Sequence, residues 1–159
     1  MLVSEIARTK VVTLRDTDTI SEAISKLTEH DISGAPVVNE SGSLVGILNE
    51  VDILKAMKTR YRELKMVYPS IPIMGISFVE QHKRKDVFRA LKEITDKKVQ
   101  ELMDTRVLKV YASDPIEDII PMLTKEKVDL LPVISDKGAL VGIVTRGDIL
   151  EMLVKGNKK

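Results

Sequence analysis

Sliding the chain along itself by 96 residues brings its two halves into register. Residues 3–57 overlay residues 99–153 without a gap, and about 19 of roughly 55 pairs are identical, where unrelated segments would share only a few. The identities include Thr9/Thr105, Val11/Val107, Asp18/Asp114, Ile20/Ile116, Ile24/Ile120, Leu27/Leu123, Pro36/Pro132, Gly42/Gly138 and Gly46/Gly142. A chain built this way is constrained to fold as two copies of one unit. The duplication also directs attention to whatever recurs at matching places. The clearest recurrence is a strand-to-helix junction, Gly46-Ile47-Leu48-Asn49-Glu50-Val51-Asp52 in the first half and Gly142-Ile143-Val144-Thr145-Arg146-Gly147-Asp148 in the second.

Each unit reads as β-α-β-β-α. The β-branched runs Val11–Leu14 and Val107–Val110 are expected to be strands. Ile20, Ala23, Ile24 and Leu27 fall at i, i+3, i+4 and i+7, one face of a helix, and Ile116, Ile119, Ile120 and Leu123 repeat the pattern. Asp114 is expected to cap the second of these helices, with Pro115 at its first position and Glu117 closing a capping box. Pro121, inside that helix, predicts a kink. Two strands joined by a turn follow, Ala35–Val38 to Leu44–Leu48 and Leu131–Ile134 to Leu140–Val144, and their near-continuous apolar character suggests sheets covered on both faces. A second helix closes each unit, from about Glu50 and Gly147. The expected organisation is repeat 1 over 1–57, a connection over 58–97, repeat 2 over 98–155 and a polar tail over 156–159. Within the connection, Lys58–Met66 extends the preceding helix, Tyr68–Gly75 leaves helical geometry at two prolines, Ile76–Val79 forms a short strand, and Asp86–Lys97 is helical with Val87, Leu91 and Ile94 on one side.

Composition narrows the function. With 159 residues, 43% of them hydrophobic and 31% charged, the chain can bury a real core. A net charge of +1 gives no footprint for nucleic acid or anionic membrane, and the run His82-Lys83-Arg84-Lys85 reads as a solvated helix start. There is no cysteine, hence no disulfide, thiolate metal site or thiol nucleophile. No apolar run approaches a membrane span of ~18 residues and no signal peptide is visible, so a soluble, cytoplasmic protein is expected. His30 and His82 are the only histidines, and neither sits in a catalytic or metal-ligating pattern; the chain is expected not to be an enzyme and to need no metal or cofactor.

At the second junction a helix beginning near Arg146 would offer free N–H groups and the positive end of its dipole, a setting that favours anions. Thr145 adds a hydroxyl, Arg146 a guanidinium, and Asp148 a carboxylate able to accept from the diol of a ribose. A ribose-phosphate ligand fits this set. So does a simple helix cap, because a hydroxyl three residues before an acid is a common helix start. Ile32-Ser33-Gly34-Ala35 is small and partly apolar, and suits either close approach of a flat base or a plain turn.

The repeated β-α-β-β-α unit, with Pro-Val-Val, Gly-x-Leu-Val-Gly-Ile and a closing Asp-Ile-Leu, resembles the CBS domain, and two in tandem resemble a CBS pair, or Bateman module. The resemblance implies an α/β (α+β) fold of two repeats related by pseudo-two-fold symmetry, with ligand clefts built from both. The family's adenosine signature, Gly-hydrophobic-x-Thr/Ser-x-x-Asp, is complete at Gly142, Ile143, Thr145 and Asp148. It implies that Asp148 holds ribose hydroxyls and Thr145 the phosphate. By the same resemblance the main site joins Thr145, Arg146 and Asp148 to Lys10, Val11, Ile32, Ser33, Gly34 and Ala35. A second, weaker site joins Asn49 and Asp52 to Arg106, Val107, Val128, Asp129 and Leu130, because Asn49 replaces the hydroxyl and Asp129-Leu130-Leu131 is bulkier than Ser33-Gly34-Ala35. The resemblance thus implies a regulatory sensor of AMP, ADP or ATP that forms a homodimer and acts in trans on an effector protein. S-adenosylmethionine or methylthioadenosine as ligand, and a purely structural dimerisation module, are the alternatives.

Overall fold

A computed structural model describes residues 1–67, 85, 88–125 and 128–156. Each half carries a three-stranded sheet, β1 (Leu14–Arg15), β2 (Gly34–Val38) and β3 (Leu44–Asn49) in the first, and β4 (Val110–Tyr111), β5 (Leu130–Ile134) and β6 (Leu140–Thr145) in the second. The outer short strand runs parallel to the central one and the other pair is antiparallel, with a register shift at Val37/Val38 and its equivalent at Val133/Ile134. Helix α1 (Ile20–Glu29) follows β1 and α2 (Glu50–Val67) follows β3, while a one-turn α3 (Val99–Leu102) opens the second half. Helices α4 (Ile116–Leu123) and α5 (Arg146–Gly156) then repeat the roles of α1 and α2. The β-α-β-β-α reading therefore holds in both halves, and α2 runs through the expected extension to Val67. Residues 88–95 are helical, with Ala90 and Ile94 buried. The expectations for Tyr68–Gly75, Ile76–Val79, His82–Arg84, Val87 and the last three residues lie outside the described residues.

The first strands differ from expectation. They are two residues long and sit at the end of the predicted runs, Leu14 opposite Val37 and Val110 opposite Val133. The reason lies upstream. Arg8 exchanges both backbone hydrogen bonds with Ile143 of β6 (2.9 and 3.0 Å), and Asp104 does the same with Ile47 of β3 (2.9 and 3.0 Å). Each segment is thus paired with the other repeat's sheet edge before it crosses to its own, and Val11–Thr13 form part of that crossing. The surrounding bonds obey the same 96-residue relation. Val3 N–H donates to the Asp114 carbonyl as Val99 N–H does to Asp18, and Ser4 N–H donates to Ala112 as Gln100 N–H does to Asp16. Ser43 and Ala139, equivalent residues, bridge each other directly, which marks the pseudo-two-fold axis.

The exchange is built into the cores. Val99, fully buried, lies in the first-repeat cluster with Leu14, Ile20, Val37 and Leu48, while Val3, also fully buried, lies in the second-repeat cluster with Val110, Ile119, Leu131 and Val144. It also explains the shared Gly46 and Gly142. A Cβ on Gly46 would stand 2.6 Å from Met103 Sδ and 3.0 Å from the Asp104 carbonyl oxygen, and one on Gly142 would stand 3.0 Å from the Arg8 carbonyl oxygen. Only a residue without a side chain lets the exchanged backbone lie that close.

Helix entry differs between the halves. Thr19 caps α1 and forms a reciprocal box with Glu22. In the second half Pro115, not Asp114, occupies the cap position and supplies no side-chain bond, so the box expected with Glu117 does not form. Asp114 instead accepts the Tyr111 N–H (2.7 Å) and closes the preceding turn, as Asp18 does with Arg15 N–H (3.0 Å). Burial pushes the Asp18 carboxyl up, but the Arg15 amide and the Lys26 ammonium outweigh it and hold it below the ordinary aspartate value. α4 continues through Pro121 and ends at Leu123, eight residues against ten in α1.

Because Val3 belongs to the second core although it lies next to the chain's start, Val3→Ala should cost about 1.5–3 kcal/mol, while Leu2→Ala, at an exposed neighbour, should stay within about 0.5 kcal/mol. Urea unfolding of the two variants measures the difference.

Candidate functional site

At the second junction β6 ends on Thr145 and α5 begins on Arg146 with no loop between. Both the backbone N–H and the hydroxyl of Thr145 donate to Asp148 Oδ2, each at 2.7 Å. The other carboxylate oxygen, Oδ1, accepts from Nε of Arg8, which arrives on the exchanged segment of repeat 1. Asp148 is 6% exposed and is the one charged residue buried among the described residues. A buried carboxylate is tolerated only when donors satisfy it. Here three donors do so, and the helix N-terminus adds its favourable dipole. The cap reading and the ligand reading are both compatible with this arrangement, since the carboxylate that ties Thr145 is held at a point where both repeats meet.

The first junction solves the same problem differently. Asn49 N–H donates to Asp52 Oδ2 and Asp52 N–H donates to Asn49 Oδ1, both at 3.1 Å, a reciprocal capping box. The Thr145 hydroxyl donates a hydrogen bond to the acid, whereas Asn49 uses its carbonyl oxygen to cap the helix. Asp104 stands where Arg8 stands at the second junction. Its carboxylate accepts the Arg106 N–H (2.9 Å) and lies 3.6 Å from Arg106 Nε, on a guanidinium that is 92% exposed.

The remaining expected residues fall into two sets. Lys10 and Val11 follow Arg8 in the crossing segment, Lys10 exposed and Val11 half-buried, and Arg106 and Val107 occupy the equivalent places. Ile32, Ser33, Gly34 and Ala35 make their hydrogen bonds within their own repeat. Ser33 carbonyl accepts from Glu50 N–H (2.8 Å), Gly34 pairs with Asn49 and Ala35 with Leu48. Correspondingly Leu130 pairs with Thr145, Val128 packs on the second core and Asp129 is exposed.

Arg146 does not join Thr145 and Asp148. Its Nε donates to the Leu123 carbonyl (2.8 Å) and its Nη2 to the Lys125 carbonyl (3.1 Å), with Nη1 4.0 Å from Asp129. It therefore satisfies carbonyls left open at the end of α4. The cation at Asp148 is Arg8, which is absent from the expected site. Its signal in the sequence is faint: it directly precedes the shared Thr9/Thr105 position, and its counterpart Asp104 carries the opposite charge.

Among the described residues no group of His, Asp and Glu is placed to hold a metal ion, and no helix is long and apolar enough to cross a membrane.

Two sheets of identical topology, joined by exchanged segments about a pseudo-two-fold axis, with a strand-to-helix junction on each, define a tandem-repeat architecture. The chain belongs to the CBS-domain family, whose model matches residues 3–59 and 99–155. It is 34% identical over 155 residues to an uncharacterised protein of Methanocaldococcus jannaschii, MJ1426, covering 97% of this chain and 92% of that one. Other curated relatives are longer, and the chain spans between 69% and 15% of their length. Among solved structures it is similar to CBSX2 in complex with AMP (TM-score 0.71, 23% identity, 99% and 98% of the two chains covered). It is also similar to the CBS domain pair of MJ0100 in complex with 5′-methylthioadenosine and S-adenosyl-L-methionine (TM-score 0.66, 27% identity, 99% and 98% covered).

The Arg8–Asp148 pair should show as energetic coupling. With Arg8 58% exposed, a double-mutant cycle of Arg8→Ala and Asp148→Ala should give about 0.5–2 kcal/mol in the free protein. The equivalent cycle at Asp104 and Asp52, two like charges, should give no favourable coupling.

Proposed function

We propose that this chain is a regulatory module that senses an adenosine-containing ligand between its two CBS repeats and acts in trans on an effector protein. The observation that carries this reading is the buried Asp148 carboxylate, held at the N-terminus of α5 by Thr145 of one repeat and Arg8 of the other. A ribose diol donating to Asp148 would replace Arg8 as its partner. Ligand occupancy would thereby change a contact between the repeats, which gives binding a mechanical consequence. Lys10, Val11, Ile32, Ser33, Gly34 and Ala35 complete this main site in the proposal, with Thr145 and the open amides of α5 facing the phosphate. Arg146 is assigned to positioning α4 against α5. The second site, with Asn49, Asp52, Arg106, Val107, Val128, Asp129 and Leu130, is weaker because Asn49 is already committed to capping α2. AMP, ADP or ATP is the favoured ligand class. S-adenosylmethionine or methylthioadenosine is the alternative ligand, supported by the similarity to a CBS pair in complex with both.

Thermal unfolding tests it, since a ligand that binds only the native state raises stability by about 2.7 kcal/mol at 100 times its dissociation constant. AMP should raise the midpoint of the native chain. Asp148→Ala should remove most of that rise, measured against its own ligand-free midpoint, and Asp52→Ala should keep most of it. Equal losses would contradict one dominant cleft.

We also propose a homodimer. Leu54 on α2 and Leu150, Leu153 and Val154 on α5 are each more than half exposed, at 60%, 63%, 58% and 69%. Apolar helix faces of this kind mark an association surface. Light scattering should give a dimer at micromolar concentration, and Leu150→Asp with Leu153→Asp should give a folded monomer by circular dichroism.

A further inference from the structure

We propose that the two clefts are tuned to adenosine ligands of opposite charge: the Thr145–Asp148 cleft to a phosphorylated, anionic one, and the Asn49–Asp52 cleft to an uncharged or cationic one. The inference rests on the adenosine-ligand reading above and deepens it. Its basis is an inversion of charge at positions whose backbone geometry is the same. Arg8 and Asp104 are symmetry equivalents, each exchanging two backbone hydrogen bonds with the isoleucine of the strand that leads into a junction, Ile143 or Ile47. Lys10 and Arg106 are equivalents two residues further on, and Asp148 and Asp52 are equivalents across the junction. The second-repeat junction has two cations, Arg8 and Lys10, with the anion Asp148, for a net of +1; Glu151, within electrostatic reach of Arg8 and Asp148, is itself paired with Lys155. The first-repeat junction has one cation, Arg106, with two anions, Asp104 and Asp52, for a net of −1.

The contacts show how the cationic arrangement would select. A guanidinium carries five N–H donors, and in the described contacts Arg8 uses only Nε, on Asp148. Ribose hydroxyls donating to Asp148 release that bond. The freed guanidinium then stands beside the amides of α5, where it can bind phosphate oxygens with two parallel bonds. In the other cleft a phosphate would meet Asp104 in the place of Arg8 and be repelled. An amine or sulfonium group would be attracted there, and Arg106, paired with Asp104 and exposed to water, offsets only part of that field.

Titration calorimetry of the full chain with AMP and with S-adenosylmethionine, alone and each in the presence of the other, reads the assignment. AMP and S-adenosylmethionine should occupy different sites without displacing one another. Arg8→Gln should weaken AMP by about 10- to 100-fold, the loss of one charged hydrogen-bond partner, and leave S-adenosylmethionine unchanged. Asp104→Arg should create a second AMP site. Mutual displacement from a single site, or equal weakening of both ligands by Arg8→Gln, would overturn the assignment. If Arg8→Gln does not fold, Asp104→Arg decides by itself: a gained AMP site supports the proposal and its absence overturns it. Failure of the native chain to bind AMP, S-adenosylmethionine or methylthioadenosine would overturn the adenosine reading and this inference together. Binding without charge preference would overturn the inference alone.

Discussion

The structure depends on the exchange of backbone hydrogen bonds between Arg8 and Ile143 and between Asp104 and Ile47. These bonds add an edge to each sheet from the opposite repeat. They fix where the crossing segments start, place Val3 and Val99 in cores that belong to the other half, and require glycine at 46 and 142 so that the backbones can lie close. Neither half has a complete core by itself. The two repeats are therefore better regarded as one interlocked unit than as two beads, and a perturbation at one junction acts on the opposite half through the segment that borders it.

Symmetry sets the frame and departures from symmetry carry the chemistry. Asp18 and Asp114 are identical because each closes a turn with its carboxylate while its carbonyl receives the exchanged segment. Gly46 and Gly142 are identical for the steric reason given above. The junctions differ: Asn49 caps its helix by accepting the Asp52 N–H, whereas the Thr145 hydroxyl donates its hydrogen bond to Asp148. Arg8 makes the burial of Asp148 tolerable, and Asp104 could not do the same for Asp52. Asp52 is accordingly half-buried, not buried.

Much of this is legible in the residues. Apolar spacing at Ile20–Leu27 and Ile116–Leu123 marks the helices, and the 96-residue identity marks the duplication. The paired carboxylates Asp52 and Asp148 are legible because they recur at one offset from Gly46 and Gly142. What the residues do not convey is long-range. The β-branched run Val11–Leu14 looks like a whole strand, yet most of it is a crossing, because sequence does not say which sheet edge the preceding residues occupy. Arg146 is adjacent to Thr145 in the chain, and adjacency suggests a shared ligand. A guanidinium on a long side chain is free to turn away, and the open carbonyls of Leu123 and Lys125 draw it elsewhere. Arg8 escapes notice for the converse reason, since 140 residues separate it from Asp148. At Asp114 the turn outcompetes the helix for the carboxylate.

The central claim is that ligand binds where the exchanged segment of one repeat meets the junction of the other. Backbone hydrogen exchange with and without AMP measures it residue by residue. The account predicts that AMP slows exchange together in two separated stretches, around residues 8–11 of repeat 1 and 143–148 of repeat 2, with a smaller effect at 47–52. Protection confined to one repeat, or absent from the Arg8 segment, would contradict it.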